Sequence, residues 1–435
     1  MNTIKNQEKI LQKLGIEKLN PMQENAIATI MENPHVILLS PTGTGKTIAF
    51  LLPTIAGLSN KHMGVQALIL VPSRELAIQI EQVIREMGAG FKVSAVYGGK
   101  NFSKDKLDLK HPPTILIGTP GRVAAHLEKK VFSTENIKTL VLDEFDKSLN
   151  VGFSSEMKYI LSTLKDTRKI ILTSATSKLE IPSFVPLEKP ITIVQEKKEE
   201  PLLTLKKVLS SNKDTFPTLL KTISHLGEQR GIIFCNFKRT IEELRKHLKS
   251  NGIPSGGFHG DMEQKDREKA LIKFRNGTYR ILIATDLAAR GLDIPELNYI
   301  IHFQLPEKEQ EFTHRNGRTA RMFSKGVAYV IEVEKERPLH YLRPMQTEIL
   351  NSNRLPFPPS WKTLFISGGR QDKISKGDLA GFFMKQGKLS SDQLGVIELK
   401  KDCSFVAVQQ CDINELIERT NAHKIKKKKV KVVII

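Results

Sequence analysis

The sequence predicts an α/β protein made of two parallel-sheet lobes in tandem and a small α+β domain after them. Three observations carry this expectation. Short apolar runs alternate with amphipathic stretches through the first half of the chain, the pattern of buried parallel strands joined by crossover helices. The alternation stops in a charged segment, Gln195-Glu196-Lys197-Lys198-Glu199-Glu200-Pro201, and restarts at Gly231-Ile232-Ile233-Phe234. Beyond the proline-rich stretch Ser352-Asn353-Arg354-Leu355-Pro356-Phe357-Pro358-Pro359 the order becomes β-α-β-β-α-β. The expected division is a first lobe over 1–200, a second over 201–347, a linker over 348–360 and the small domain over 361–435.

In the first lobe, the strand expected at 36–39 runs into Ser40-Pro41-Thr42-Gly43-Thr44-Gly45-Lys46-Thr47, and an amphipathic helix follows over 48–58. This strand, glycine-bearing loop and helix form a phosphate cradle. Backbone N–H groups and the positive helix end point at one spot, Lys46 reaches the β- and γ-phosphates, and the Thr47 hydroxyl suits Mg²⁺. Ser40 stands where the pattern usually opens with glycine. A nucleoside triphosphate with Mg²⁺ is the expected ligand. Further strands are expected at 67–71, 92–97, 114–117, 139–142 and 169–172. The fourth of these runs into Asp143-Glu144-Phe145-Asp146. Asp143 suits the metal, and Glu144 suits the orientation and deprotonation of an attacking water.

The second lobe shows strands at 231–234, 280–283 and 298–303 and has no phosphate loop of its own. It offers His314-Arg315-Asn316-Gly317-Arg318-Thr319-Ala320-Arg321 instead. If that segment is helical, Arg318 and Arg321 share a face and suit transition-state charge stabilisation supplied within the chain.

Composition agrees with a polyanionic partner. The 435 residues include 67 Lys+Arg against 47 Asp+Glu, a formal charge of +20. No stretch approaches the ~18 apolar residues of a membrane span, and residues 1–7 lack the apolar core of a secretory signal. A cytoplasmic monomer without membrane contact is expected. The three cysteines, Cys235, Cys403 and Cys411, form no Cys-x-x-Cys pair and read as reduced thiols, not zinc ligands.

These pieces, in this order, resemble the DEAD-box RNA helicases. The resemblance spans residues 10–345 and includes Pro72-Ser73-Arg74-Glu75-Leu76-Ala77, Gly98-Gly99, Thr119-Pro120-Gly121-Arg122, Ser174-Ala175-Thr176, Phe234-Cys235-Asn236, Gln264 with Arg267, and the run from Thr285 to Asp293. It implies two RecA-like lobes, the P-loop NTPase core of superfamily 2 helicases, with ATP and Mg²⁺ as cofactors and a site complete only when the lobes close. Ser40, Pro41, Thr42, Gly43, Thr44, Gly45, Lys46 and Thr47 would hold the phosphates, and Asp293 would contact the ribose. Gln23, in Gly15-Ile16-Glu17-Lys18-Leu19-Asn20-Pro21-Met22-Gln23, would read the adenine edge. Single-stranded RNA would meet Pro72, Arg74, Gly98, Gly99, Thr119, Gly121 and Arg122 on lobe one, and Gln264, Arg267 and Thr285 on lobe two. These contacts would fall mostly on phosphates and 2′-hydroxyls. Ser174 and Thr176 would couple ATP to RNA.

Two departures stand out. No aromatic occurs before Phe50, so base stacking should be weak, and Phe145 replaces the family's alanine. The phenyl ring should need extra volume near Ser174-Ala175-Thr176, with hydrolysis retained.

The final domain resembles an RNA-recognition motif. Leu364-Phe365-Ile366-Ser367-Gly368 matches its first strand, and Lys401-Asp402-Cys403-Ser404-Phe405-Val406 is a degraded form of its third. Gly368-Gly369-Arg370-Gln371-Asp372-Lys373-Ile374-Ser375-Lys376-Gly377-Asp378-Leu379 resembles the C-terminal RNA-binding domain of the DbpA-type helicases. That likeness implies ribosomal RNA as partner and large-subunit assembly, a step of ribosome biogenesis, as setting. Residues 361–435 hold fifteen Lys+Arg and eight Asp+Glu. Arg370 and the cluster Lys426, Lys427, Lys428 and Lys429 are the expected phosphate contacts. For Phe405, a stacking platform and a core role both remain open. An ATP-dependent RNA clamp or chaperone, and a DNA helicase, are the alternative activities.

Overall fold

The computed structural model describes residues 7–41, 43–99, 101–175, 180–195, 203–286, 297–319, 326–334, 339–352, 354–409 and 412–435. Thr42, Thr176, Asp293, Arg321, Cys411 and most of the segment 195–201 lie outside these residues. The chain divides into two compact units, the first lobe and, from residue 202 onward, the second lobe with the small domain.

Lobe one is a seven-stranded sheet in which every pairing is parallel. Its strands are β1 (His35–Leu39), β2 (Ala67–Leu70), β3 (Val93–Val96), β4 (Ile115–Gly118), β5 (Thr139–Leu142), β6 (Lys169–Ser174) and β7 (Ile191–Val194), in the order β3-β4-β2-β5-β6-β1-β7. Alternation along the strands divides two cores between the two faces. Val36, Leu38, Ile69 and Val141 pack with helices α1 (Gln7–Lys13), α2 (Pro21–Glu32), α3 (Lys46–Ala56) and α4 (Arg74–Met87). Leu39, Leu68, Leu140 and Leu172 pack on the other side. There the chain forms α5 (Phe102–Leu109), α6 (Pro120–Glu128), α7 (Phe145–Asn150) and α8 (Ser154–Thr163).

Lobe two repeats this design. Strands β8 (Leu203–Ser210), β9 (Gly231–Phe234), β10 (Ser255–Phe258), β11 (Ile281–Ala284), β12 (Tyr299–His302), β13 (Gly326–Val333) and β14 (Gln346–Thr347) lie in the order β10-β11-β9-β12-β13-β8-β14, again all parallel. Helices α9 (Phe216–Leu226), α10 (Lys238–Ser250), α11 (Gln264–Arg275) and α12 (Glu309–Asn316) accompany it. The pattern reading missed β10, because Ser255-Gly256-Gly257-Phe258 looks like a turn. A Cβ at Gly257 would fall 2.7 Å from Arg245 Cδ, so glycine lets α10 lie close over that strand.

The small domain follows the expected order: β15 (Trp361–Ile366), α13 (Lys376–Lys385), β16 (Leu394–Leu399), β17 (Ser404–Gln409), α14 (Ile413–Thr420) and β20 (Val432–Ile434). A short hairpin, β18 (Lys424–Ile425) and β19 (Lys428–Lys429), precedes the last strand. Its antiparallel sheet, β16-β17-β15-β20, buries Leu364, Ile366, Val406 and Val408 with Leu379, Phe383 and Leu416. The opposite face meets lobe two. Thr363, in contact with both Asn276 (3.2 Å) and Thr278 (2.7 Å), is buried there, and Arg275 forks onto Glu398 at 2.7 and 3.0 Å. Phe405, cross-strand partner of Phe365 on that face, is only 6% exposed. The packing role, not an open platform, is the one realised.

Candidate nucleotide site and nucleic-acid edge

In a parallel sheet all carboxyl ends lie along one edge, where ligands of such folds bind. On lobe one that edge has two parts. The ends of β1, β5 and β6 form one, and those of β3, β4 and β2 form the other.

The first part is the cradle. Gly43 and Gly45 have φ of +86° and +84°, the left-handed region glycine adopts without strain. A side chain at Gly45 would collide with Gln23, 2.3 Å from its Nε2. Gln23 Nε2 donates to Gly45 O (3.2 Å), while its Oε1 accepts the Asn20 N–H (3.0 Å) in a capping box that starts α2. Asn20 Nδ2 adds a bond to Thr44 O at 3.1 Å. The residue expected at the adenine edge is thus wired to the phosphate loop. Ser40 Oγ lies 2.7 Å from Thr44 Oγ1 and donates to Gln195 Oε1 at 2.6 Å, just past the end of β7. Thr47 occupies the first turn of α3, half-buried.

Lys46 Nζ lies inside this loop and donates to the carbonyls of Ser40 and Pro41. Burial pulls its pKa down to about 8 against the attraction of Glu144 and Asp143. Asp143 Oδ1 accepts the Thr173 hydroxyl at 2.5 Å, and the Glu144 N–H reaches both Asp143 Oδ1 and Thr173 Oγ1. Burial first, then neighbouring Glu144, push the Asp143 carboxyl up to about 6. Three buried carboxylates, Asp143, Glu144 and Asp146, face two buried lysines, Lys46 and Lys147. A pocket short of positive charge beside glycine-shaped N–H donors fits a divalent cation with a polyphosphate, held by Thr47 and Asp143. Among the described residues no three His, Cys, Asp or Glu side chains converge to hold a metal by themselves, so the cation would depend on the phosphates as well.

Sequence reading overlooked Thr173 and Lys147. Thr173 lies one residue before the Ser-Ala-Thr motif, and its signal was position on β6 beside β5. Ser174 is buried, and its carbonyl accepts the Ser40 N–H, so β6 touches the cradle directly. Phe145 is fully buried in the core cluster that holds Leu142, Met157, Ile160 and Leu172. The ring found its volume in the core under the sheet.

The second part gathers Pro72, Arg74, Gly98, Gly99, Thr119, Gly121 and Arg122 at the ends of three adjacent strands. Gly99, at φ +84°, packs so close to Arg74 that a Cβ would lie 2.6 Å from its Nη1. Arg122 differs from a free phosphate grip. Its Nε and Nη2 both donate to the buried Asp105 Oδ2 (2.9 and 2.8 Å), and its guanidinium lies 4.8 Å from the centre of the Phe102 ring. Burial of Asp105 enforces that pairing.

On lobe two, Gln264 and Arg267 lie on α11 and Thr285 follows β11. Arg267 is 7% exposed, its guanidinium 4.9 Å from the Phe258 ring centre. The helix expected through Arg318 ends at Asn316, capped by Gly317, so Arg318 stands past its end and is buried. Beyond Gly317 the chain runs as single turns, the Arg318 N–H donating to Arg315 O and the Thr319 N–H to Asn316 O. The unforeseen residue is Arg315, 1% exposed, which donates to Asp286 Oδ1 and Oδ2, Gln304 O and Asn236 Oδ1 at 2.5–2.8 Å.

In the small domain, Arg370 Nη2 donates to Leu399 O (2.7 Å) and so braces its own fold. Lys426 pairs with Asp378 at 2.6 Å and Lys428 with Asp372 at 3.5 Å. Hydrogen bonds from Lys426 and Ser375 hold the Asp378 carboxyl down at about 2. Lys427 and Lys429 are exposed, without an ion pair among the described residues. Burial pushes the Cys235 and Cys403 thiols up, to about 12 and 11, which disfavours the thiolate at both. Among the described residues no helix is long and apolar enough to cross a membrane.

Comparison with known proteins agrees with this geometry. Residues 20–183 match the DEAD/DEAH box helicase family, 214–323 the helicase conserved C-terminal domain, and 363–434 the DbpA RNA binding domain. The chain is 33% identical over 386 residues to the ATP-dependent RNA helicase CshA of Listeria monocytogenes, covering 86% of this chain and 74% of that one. It is 34% identical over 341 residues to the DEAD-box ATP-dependent RNA helicase CshA of Geobacillus kaustophilus, covering 77% and 73%. Among solved structures, S. cerevisiae Dbp5 bound to RNA and ADP BeF3 aligns with a TM-score of 0.67 at 29% identity, over 75% of this chain and 87% of that one. Mss116p bound to ssRNA and AMP-PNP aligns with a TM-score of 0.66 at 26% identity, over 75% and 72%. With a phosphate cradle, a buried carboxylate pair and an RNA-binding domain in one chain, this protein belongs to the DEAD-box family of ATP-dependent RNA helicases.

Proposed function

We propose that the chain uses ATP to open short RNA duplexes locally, and that its C-terminal domain directs it to ribosomal RNA during large-subunit assembly in the cytoplasm. The observation that carries this reading is the shared edge of lobe one. Thr173 and Ser174 on β6 lie between the cradle strands β5 and β1 and touch Asp143 and Ser40 respectively. Strands β3, β4 and β2 of the same edge end in the residues assigned to RNA. A change at one part would reach the other through the pairing of β5 with β2.

Bound Mg·ATP would supply a γ-phosphate made electrophilic by the cation. The N–H groups of Gly43, Thr44 and Gly45, the Lys46 ammonium and the start of α3 would hold the phosphates, with Thr47 and Asp143 on the cation. Glu144 would take the proton of the attacking water. By the resemblance, Arg318, Arg321 and Asp293 would be supplied by the second half of the core, so turnover would require both lobes. RNA held through backbone contacts would be read with little sequence preference. Choice of target would then fall to the small domain.

The test is ATP turnover and displacement of a short duplex, with RNA and with matched DNA, in the full chain and a chain ending at 360. RNA should stimulate both activities and DNA neither, and the shortened chain should keep its response to arbitrary single-stranded RNA. The full chain should prefer a ribosomal RNA fragment over unrelated structured RNA. Stimulation of turnover without strand displacement would favour a clamp or chaperone, and equal stimulation by DNA a DNA helicase. Equal discrimination by the shortened chain would remove the targeting role from the small domain.

A further inference from the structure

Lys147 is a buried charge that no step above uses. It sits one turn after Glu144 on α7 and is fully buried, a costly place for an ammonium. Its Nζ donates to Glu144 Oε1 at 2.5 Å, with side-chain exposures of 1% and 11%. That bond offsets the burial of both charges. Neither group gains from solvent, so the pair is not one of the weak surface bridges.

The geometry of Glu144 shows what the pairing does. Its backbone is left-handed, φ 47° and ψ 49°, a conformation residues with a Cβ rarely adopt. It is pinned there by the N–H bonds to Asp143 Oδ1 and Thr173 Oγ1. The root of the side chain is therefore fixed, and Lys147 adds a hold farther out by gripping one carboxylate oxygen.

We propose that Lys147 is the positioning residue of the water-activating base. It holds Glu144 by Oε1 and thereby assigns Oε2 to receive the water's proton. The inference rests on Glu144 being that base. Positioning of this kind acts on the chemical step more than on nucleotide affinity, because the bond Lys147 makes is to the Glu144 carboxylate, while its charge reaches Lys46 and Asp143 only through space.

The experiment uses the full chain with saturating single-stranded RNA. Lys147→Met, which keeps the stem and removes the ammonium, should lower kcat about ten-fold or more while the KM for ATP stays within about three-fold. Lys147→Arg should restore part of kcat. In the Glu144→Gln background, adding Lys147→Met should change the residual turnover less than about two-fold, since the amide accepts no proton. Urea unfolding of the nucleotide-free proteins should show the same dependence, Lys147→Met costing more beside Glu144 than beside Gln at that position. Unchanged kcat in Lys147→Met overturns the proposal, as does an equal fold-loss in both backgrounds. If Lys147→Met does not fold, Lys147→Gln takes its place under the same criteria. Near wild-type turnover in Glu144→Gln alone overturns the base assignment itself, a separate failure because it needs no change at Lys147.

Discussion

Lobe one and lobe two share one strand permutation but differ in what stands at its carboxyl edge. In lobe one, β1 passes through a loop with two left-handed glycines into α3. At the equivalent place in lobe two, β8 passes through Ser211-Asn212-Lys213-Asp214-Thr215, without a glycine, into α9. After β5 come Asp143 and Glu144; after β12 come Phe303, Gln304 and Leu305. Topology provides the same positions twice, and residue type equips only one of them for hydrolysis. The buried charges differ in the same sense. Lys46 and Asp143 are held away from their ordinary pKa values inside a charge-short pocket. Arg315 is instead saturated by Asp286, Gln304 and Asn236. Burial first, then Arg315, keep neighbouring His302 neutral, its pKa down at about 3. One set of charges is poised for a ligand, whereas the other holds a fold together.

The strongest way to break this contrast is at Glu144. Glu144→Gln should lower RNA-stimulated turnover by about two to four orders of magnitude while ATP and RNA still bind. Single-turnover hydrolysis beside nucleotide and RNA titrations would show it. If rate and affinity fall together, Glu144 serves binding and the contrast loses its catalytic half.

Arg315→Ala probes the other half. Removing one partner of a buried ion pair leaves Asp286 uncompensated, a loss of about 3–5 kcal/mol in lobe-two stability. Urea unfolding should show that loss, with nucleotide affinity of lobe one unchanged. A variant of normal stability but dead in turnover would move Arg315 into the reaction.

Asp143→Asn sharpens the lobe-one half through pH. The folded carboxyl titrates near 6 against 3.8 for its ordinary value, so between those values the folded state binds a proton that the unfolded chain has lost. Stability from this group is therefore present below about pH 4 and lost as pH rises through about 6. At about 1.4 kcal/mol per pKa unit, Asp143→Asn should stabilise the nucleotide-free protein by at most about 3 kcal/mol at pH 7, and by nothing near pH 4. Thermal unfolding at both pH values tests this. Lys46 has the opposite sign, its penalty being relieved as pH rises from about 8.

The smallest effect concerns the lysine hairpin of the small domain. Lys426 and Lys428 already have acidic partners, so Lys427→Ala with Lys429→Ala should account for most of the cluster's contribution. The slope of log affinity against log salt should fall by roughly 1–2 for RNA. An equal change from the pair Lys426→Ala and Lys428→Ala would show that the ion pairs open on binding.

Much of this protein was legible in its sequence because the signals are local. A strand buried on both faces must be a short apolar run, which places β1, β2, β5 and β9. A loop that wraps phosphates needs glycine where φ is positive, which marks Gly43 and Gly45. A carboxylate pair after an apolar strand marks Asp143 and Glu144, and charge alone points to a polyanion. Tertiary packing decided the rest, because it turns on which faces meet. Thr173 reaches Asp143 across thirty residues only because β6 lies beside β5. The helix α12 gives way to turns before Arg318, so helical spacing could not place that guanidinium. Lys147 against Glu144 looks in sequence like any helical charge pair, and only burial makes it a constraint. Phe405 alternates on its strand as a stacking residue would, yet the loop after α11 docks on its face through Asn276 and Thr278. Neither strand periodicity nor composition reports what covers a face. That depends on where distant parts of the chain come to rest.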